Sequence, residues 1–299
     1  MKYYIDLGSN VIKIYECENE KISLIEEKDI LFQENFDEEE GISRKKYREL
    51  MLYLKQLIDN YKLNKENCNI YATGIWRKIP NEQFETLKAD FNDKGLKFNI
   101  ISKDEEKFYF EKAVQGIYNS KRILMVNIGS KQTELLVYDK ANIINRKTLN
   151  IGVTEIVNNF PTINEKSNDL KKEDIINYVL EVINKENIDL SCDCGVFTGG
   201  ELRFQKLVKY NLVPNAMFND NIHEYMISFK NFEKKNKELL NKISLQDLYI
   251  LMPNNKNWLE GSKAAAILAE AIFKKANVEY IIPSDLNIIN GIAKQENRY

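Results

Sequence analysis

The sequence predicts an α/β protein made of one structural unit used twice. Two observations carry this. Residues 2 to 32 read as strand, tight turn, strand, strand, and the same order returns over residues 122 to 149. Each meander is followed by stretches of helical apolar spacing and by further short apolar runs, the mark of a duplicated unit. Length agrees, since 299 residues is about twice the usual domain size. Two domains are expected, 1–121 and 122–299, with the last helix packing back on the first. No Pro/Gly linker marks residue 121, so a shared interface and a cleft are expected.

Composition narrows the function. Hydrophobic residues make up 43% and charged residues 29%, a globular balance. The formal charge of −2 gives no overall field for nucleic acid or an anionic membrane. An anionic substrate must therefore be met by a local cluster of donors. No apolar run reaches the roughly 18 residues of a membrane span. The N-terminus carries Asp6 inside a strand pattern and is not a signal peptide. The cysteines, Cys17, Cys68, Cys192 and Cys194, form no CxxC pair, and His223 is the lone histidine. A structural zinc site and disulfides are not implied, and a cytoplasmic setting is the simplest expectation. Any catalytic centre built on several histidines is excluded. His223 falls in the polar, helix-like stretch 219–232 and is expected at the surface.

The first hairpin is the stretch with chemistry. Tyr3-Tyr4-Ile5 runs into Asp6-Leu7-Gly8-Ser9-Asn10, and Val11 to Tyr15 forms the return strand. Gly8 lets backbone N–H groups approach a ligand, and Ser9 and Asn10 add donors. Asp6 is placed to hold a cation or a water. These groups suit a phosphate beside a metal, and they equally suit an ordinary turn.

The remaining elements follow in order. Ile22 to Phe32 reads as a third strand, and Asp37 to Glu40 as a solvated acidic loop. Leu50, Leu54 and Leu57 mark a helix over Ser43 to Tyr61. Cys68 to Ala72 is a strand ending in Thr73-Gly74, Pro80 opens a helix to Phe91, and Phe98 to Ile101 is a strand. Ser102 and Glu105 form a capping box for a helix reaching Tyr118. Phe110, Ala113, Val114 and Ile117 mark its buried face, and Glu106 projects from that same face in the first turn. A carboxylate there either pairs with a cation or lines a cleft.

The second unit has strands over Arg122 to Ile128, Thr133 to Tyr138 and Ile143 to Leu149. Helices follow near Val153 to Phe160 and over Lys171 to Lys185. Gly195 to Phe197 leads into Thr198-Gly199-Gly200, and 201–253 reads as mostly helical. An alanine-rich helix over Trp258 to Lys275, a strand over Val278 to Ile282 and a helix over Asp285 to Lys294 close the chain.

These motifs, in this order, resemble the exopolyphosphatase / guanosine pentaphosphate phosphohydrolase (Ppx/GppA) family of the actin, sugar kinase and Hsp70 superfamily, over nearly the whole chain. Asp6 to Asn10 resembles its opening D-L-G-S-N, although Val11 and Lys13 replace the usual Ser and Arg. Ala72-Thr73, Arg77 and Asn81 match A-T-x-x-x-R-x-x-x-N. Ile101-Ser102, Glu105 and Glu106 match I-S-G-x-E-E, with Lys103 for the glycine. Met125 to Gly129 and Thr133 to Leu135 resemble the second phosphate loop, followed by Gly152, then Gly199-Gly200, Ser284-Asp285 and Gly291.

The resemblance implies two ribonuclease-H-like (actin-like ATPase) domains with polyphosphate or guanosine pentaphosphate between two phosphate loops. It implies Glu106 as the base for the attacking water. Phosphate contacts fall to Gly8, Ser9, Asn10, Thr73, Arg77, Gly129, Ser130 and Lys131. Mg2+ falls to Asp6 and Glu134, with Asn127 a weak ligand. The charge balance already argues against nucleic acid and membrane as partners, and a homodimer stays open. The departures concentrate in the second unit. Asn127 replaces an aspartate, an amide that binds Mg2+ less well. Ser130-Lys131-Gln132 replaces G-G-S, Glu201 replaces a threonine, and Ile289 and Asn290 replace an arginine and a glutamate. Lys131 is either a fixed cation standing in for the metal or a solvated turn lysine. Arg77 is either a phosphate ligand or one half of an ion pair with a glutamate. A phosphoanhydride hydrolase is the first expectation, and a binder that lost turnover the second. A sugar- or acetate-kinase-like transferase fits Arg77 and Glu105-Glu106 less well.

Overall fold

Two units make up the chain: Met1–Ala113 with the segment from Ile288 onward, and Val114–Asn287. The computed structural model describes residues 1–18, 21–114, 121–140, 142–166, 171–186, 188–218 and 223–296.

The first unit starts with β1 (Lys2–Leu7), β2 (Val11–Glu18) and β3 (Lys21–Asp29), an antiparallel meander. Helix α1 (Arg44–Tyr61) crosses over to β4 (Cys68–Ala72), which lies parallel to β1. A 3-10 turn (Gly74–Lys78) and α2 (Asn81–Asp93) lead to β5 (Lys97–Ile100), parallel to β4, and then to α3 (Lys103–Val114). Among the described residues the sheet order is β3-β2-β1-β4-β5. Alternation along β1 buries both of its faces. Tyr3, Ile5 and Leu7 pack with Leu50, Tyr53, Leu54 and Leu57 of α1, while Tyr4 joins a second apolar cluster. Ser43 caps α1, accepting from the Lys46 N–H.

The second unit repeats this plan. Strands β6 (Arg122–Ile128), β7 (Thr133–Asp139) and β8 (Asn142–Leu149) form the meander. Helices α4 (Val153–Asn159) and α5 (Lys172–Asn184) precede β9 (Cys194–Thr198), parallel to β6. Then come α6 (Glu201–Leu207), β10 (Val213–Pro214), β11 (Tyr225–Ser228), α7 (Phe229–Lys242) and α8 (Leu245–Leu251). Helix α9 (Lys256–Ala276) and β12 (Tyr280–Pro283) follow, with β12 parallel to β9. The described order β10-β11-β12-β9-β6-β7-β8 contains the first unit's order, extended by β11 and β10. The mixed α/β class and the duplication stand as the sequence predicts. Helix α9 is the unit's central post, with alanines buried against α4, α5 and α7. It also buries Glu270, which accepts from Lys172 (2.5 Å) and Asn236 (2.8 Å). Unpaired charge there is costly, so the partners are required.

Helix α10 (Ile288–Glu296) returns to the first unit. Its Glu296 accepts from the hydroxyls of Tyr71 (2.6 Å) and Tyr4 (2.9 Å) and from the Asn69 amide (3.2 Å). Gly291 permits the approach, because a Cβ there would lie 1.7 Å from the Tyr109 carbonyl oxygen.

Several expectations are corrected. His223 is 1% exposed, not a surface residue. Its Nε2 lies 3.1 Å from Ser284 Oγ, which satisfies the buried ring. The stretch around it is not one helix: β11 precedes α7, and residues 219–222 lie outside the described set. The 201–253 region also carries β10 and β11, too short to show a period in sequence. The third strand ends at Asp29 rather than Phe32, because the Ile30 and Phe32 N–H groups turn to the carbonyls of Asn10 and Ser9. The continuation of α3 through Ile117 to Tyr118 lies outside the described residues. Among the described residues no helix is long and apolar enough to cross a membrane.

The α10 contact is testable. Gly291→Ala is expected to cost about 3 kcal/mol or more, because the added carbon meets backbone that cannot move aside. Urea unfolding followed on the first unit checks this, and a loss below about 0.5 kcal/mol would contradict the close approach.

Candidate active site

Parallel pairing aligns the functional stretches of each unit. Leu7 is in register with Ala72, and Ala72 with Ile100. The carboxyl ends of β1, β4 and β5 thus share one sheet edge, which carries Asp6 to Asn10, Thr73 to Arg77, and Ile101 to Glu106. In the second unit Asn127 is in register with Thr198, and Phe197 with Pro283. The stretches Asn127 to Lys131, Gly199-Gly200 and Ser284-Asp285 share the corresponding edge. Edges of this kind are where open α/β sheets bind ligands.

In the first unit the turn is closed by the Gly8 N–H donating to the Val11 carbonyl at 3.0 Å. Its own carbonyls are spent inward: Gly8 accepts from Trp76 Nε1 (3.0 Å), Ser9 from Phe32 (3.0 Å) and Asn10 from Ile30 (3.1 Å). The Ser9 and Asn10 N–H groups donate to no described residue. Successive free N–H groups with satisfied carbonyls form an anion-binding concavity. Ser9 Oγ accepts from the Ile75 N–H at 3.1 Å, which ties the turn to the 3-10 turn. Gly74, at φ +68°, is required there, since a Cβ would sit 2.1 Å from Ser9 Oγ. The half-buried Thr73 offers a hydroxyl that no described residue uses.

Arg77 lies at the end of the 3-10 turn. Its Nε donates to the Ile101 carbonyl at 2.6 Å, and its Nη2 pairs with Glu106 Oε2. Glu106 is held in place by α3, whose capping box is present: Ser102 N–H to Glu105 Oε2 at 2.8 Å and Glu105 N–H to Ser102 Oγ at 3.1 Å. The side chain of Glu106 is 42% exposed. It does not lie among the buried residues of its helix face, because the first turn extends beyond the core that covers Phe110. Its charge is met by a cation, one of the two outcomes open from sequence, and that cation is Arg77.

Asp6 lies opposite Lys13 and beside Tyr71 in the sheet. Burial lifts its pKa to about 6, with Lys13 opposing and the Glu106 charge adding to the rise. The carboxyl of Asp6 makes no hydrogen bond to a described residue.

The second unit reproduces the first turn closely. The Gly129 N–H donates to Gln132 O at 2.8 Å, and a Cβ on Gly8 or Gly129 would meet the matching carbonyl at the same 3.1 Å. The Gly129 and Ser130 carbonyls accept from the Val153 and Thr154 N–H groups, and Ser130 Oγ lies 2.8 Å from Thr154 Oγ1. Lys131 is exposed and pairs with no described residue. Asn127 faces Glu134 across the β6–β7 pair, with Gly199 close to its Oδ1. Glu201 is buried beside Asp285, whose Oδ1 accepts from the Leu202 and Arg203 N–H groups. Burial, then the Asp285 charge, pushes the Glu201 carboxyl well above the usual range.

Within unit 1 the structure therefore brings together Asp6, Gly8, Ser9, Asn10, Thr73, Arg77 and Glu106. Within unit 2 it brings together Asn127, Gly129, Ser130, Lys131 and Glu134. Trp76 and the Ile101 carbonyl escaped the sequence reading, and the burial of Glu201, named there only as a replaced threonine, was not foreseen. Gly74 after Thr73 was the one available signal for the tight contact with Ser9. Among the described residues no three His, Cys, Asp or Glu side chains cluster to hold a metal. Mg2+ needs fewer, one or two carboxylates plus substrate phosphates. Asp6 fits that demand, because a cation would offset both its burial and the Glu106 charge.

No curated protein sequence matches this chain. Solved structures share the fold at low identity. A crystal structure of the Aquifex aeolicus Ppx/GppA family member has 18% identity and a TM-score of 0.69, over 99% of this chain and 97% of that one. The type II variant from the same organism has 18% identity and a TM-score of 0.71, over 98% of each chain. An exopolyphosphatase from Cytophaga hutchinsonii has 14% identity and a TM-score of 0.68, over 98% of this chain and 96% of that one. The model of the Ppx/GppA phosphatase family matches residues 9–294. With that match over nearly its whole length, on a sheet edge built twice from the same turn, this chain belongs to the Ppx/GppA phosphatase family.

Proposed function

We propose that the protein hydrolyses terminal phosphoanhydride bonds of inorganic polyphosphate or guanosine pentaphosphate, with Glu106 as general base. The observation that carries this reading is the place of Glu106. It is an accessible carboxylate fixed in the first turn of α3, paired with Arg77 and close enough to Asp6 to raise its pKa. Arg77 in turn belongs to the 3-10 turn bonded to Ser9. In the reaction, Glu106 takes a proton from water as the water oxygen attacks the terminal phosphorus. The bridging P–O bond breaks and its electrons leave with the shortened chain. The Ser9 and Asn10 N–H groups and the Thr73 hydroxyl hold phosphoryl oxygens, and Arg77 offers them a planar fork of donors. Asp6 would hold Mg2+, which when bound supplies charge to offset the phosphates. The matching turn of the second unit, with Gly129, Ser130 and Lys131, offers phosphate contacts of the same kind, and Glu134 and, weakly, Asn127 are that unit's candidates for a metal.

Asn127 favours a second reading, a phosphate or nucleotide binder without turnover, because an amide stands where the family has a carboxylate. Orthophosphate release from long-chain polyphosphate separates the two. The wild-type protein is expected to release it, and Glu106→Gln to slow release about a hundredfold or more while keeping the fold. Equal rates would remove Glu106 from the role, and binding without release would favour the binder.

The raised pKa of Asp6 makes a stability prediction of known sign. Between about pH 4 and about pH 6 the folded chain binds more protons at Asp6 than the unfolded chain, so its stability falls as pH rises through that window. Asp6→Asn has no such loss. Without metal it is expected to be more stable than wild type at pH 8, by about 1–3 kcal/mol, and to lose the advantage below about pH 4. Denaturation at the two pH values checks this, and a less stable variant at pH 8 would contradict it.

A further inference from the structure

The Arg77–Glu106 pair joins the group assigned to phosphate with the group assigned to water. Of the two carboxylate oxygens of Glu106, Oε2 is the one held by the guanidinium. The two partners are not equally fixed. Arg77 has a second anchor, its Nε on the Ile101 carbonyl at 2.6 Å, and its side chain is 19% exposed. The Glu106 side chain makes no other hydrogen bond with a described residue and is 42% exposed. If the pair opens, Glu106 is the side that moves. A guanidinium carries five N–H donors, so Arg77 can keep the Ile101 carbonyl while turning others to an incoming anion.

Resting on the hydrolytic reading above, we propose that the ion pair is a latch released by substrate: an arriving phosphoryl group takes the Arg77 donors from Glu106, and the freed carboxylate becomes the base. Phosphate and Glu106 then compete for one cation. Water is activated only when a phosphoryl group is present. The coupling is reciprocal, so whatever removes the Glu106 charge must tighten anion binding through Arg77.

Binding measures this without turnover. The probe is imidodiphosphate, a non-hydrolysable diphosphate, titrated calorimetrically into the full chain in metal-free buffer. Glu106→Gln is expected to tighten binding about fivefold, the size of a partly exposed ion pair. In an Arg77→Gln background, where the amide still reaches the Ile101 carbonyl, Glu106→Gln is expected to change nothing. If Arg77→Gln does not fold, Arg77→Lys replaces it, and its lone ammonium is expected to cut the gain by at least half. The latch is overturned if Glu106→Gln gives no gain. It is equally overturned if the full gain persists in the Arg77 variant, because the effect is then simple repulsion between Glu106 and the anion. Failure of the hydrolytic reading looks different: wild type releases no orthophosphate from polyphosphate, whatever the binding coupling.

Discussion

The contact between Gly74 and Ser9 is the constraint on which the first unit's site depends. Two chain segments far apart in sequence meet with no room for a side chain between them. Ser9 Oγ then receives the Ile75 N–H, and Trp76 sends its indole N–H to Gly8. Trp76 is fully buried, with Phe32 at 4.7 Å between ring centroids, so the core itself holds the hairpin turn in place. Burying a side chain of this kind contributes about 2–3 kcal/mol. One more step along the 3-10 turn places Arg77 against Ile101 and Glu106. The turn, the arginine and the acid are thus positioned by one packed element.

The second unit shows what duplication preserves and what it releases. The turn geometry is kept, down to the matching clearance at Gly8 and Gly129. The second turn docks on the start of α4, where Gly152 is needed because a Cβ would lie 2.5 Å from the Gly129 carbonyl oxygen. Charge is distributed differently. Unit 1 keeps Asp6 and Glu106 near each other at its edge, whereas unit 2 has an amide at Asn127 and an exposed lysine at position 131. Two carboxylates of unit 2 are buried, Glu201 at the start of α6 and Glu270 on α9, while Asp285 stays exposed at the edge. These substitutions leave the architecture intact, because the turn is made by backbone and glycine.

Features set by neighbouring residues were readable in the sequence. The Ser102–Glu105 capping box needs only its own spacing, and both bonds are present. The meanders and α1 follow from apolar patterning, and α9 from its alanine-rich composition. Features that join distant segments were not readable. Nothing near His223 announces Ser284, and nothing near Arg77 announces the Ile101 carbonyl. Glu106 shows the limit of periodicity. Its helical phase matches Phe110, yet phase does not say where along the helix the core stops. β10, with two residues, has no pattern to read.

A crystal structure of the protein soaked with tungstate, a phosphate mimic, tests the central claim most directly. The expected result is an anion on the Ser9 and Asn10 N–H groups and the Arg77 guanidinium, with Glu106 turned away from Arg77. An Arg77 still closed on Glu106, with the anion bound elsewhere, would contradict the account.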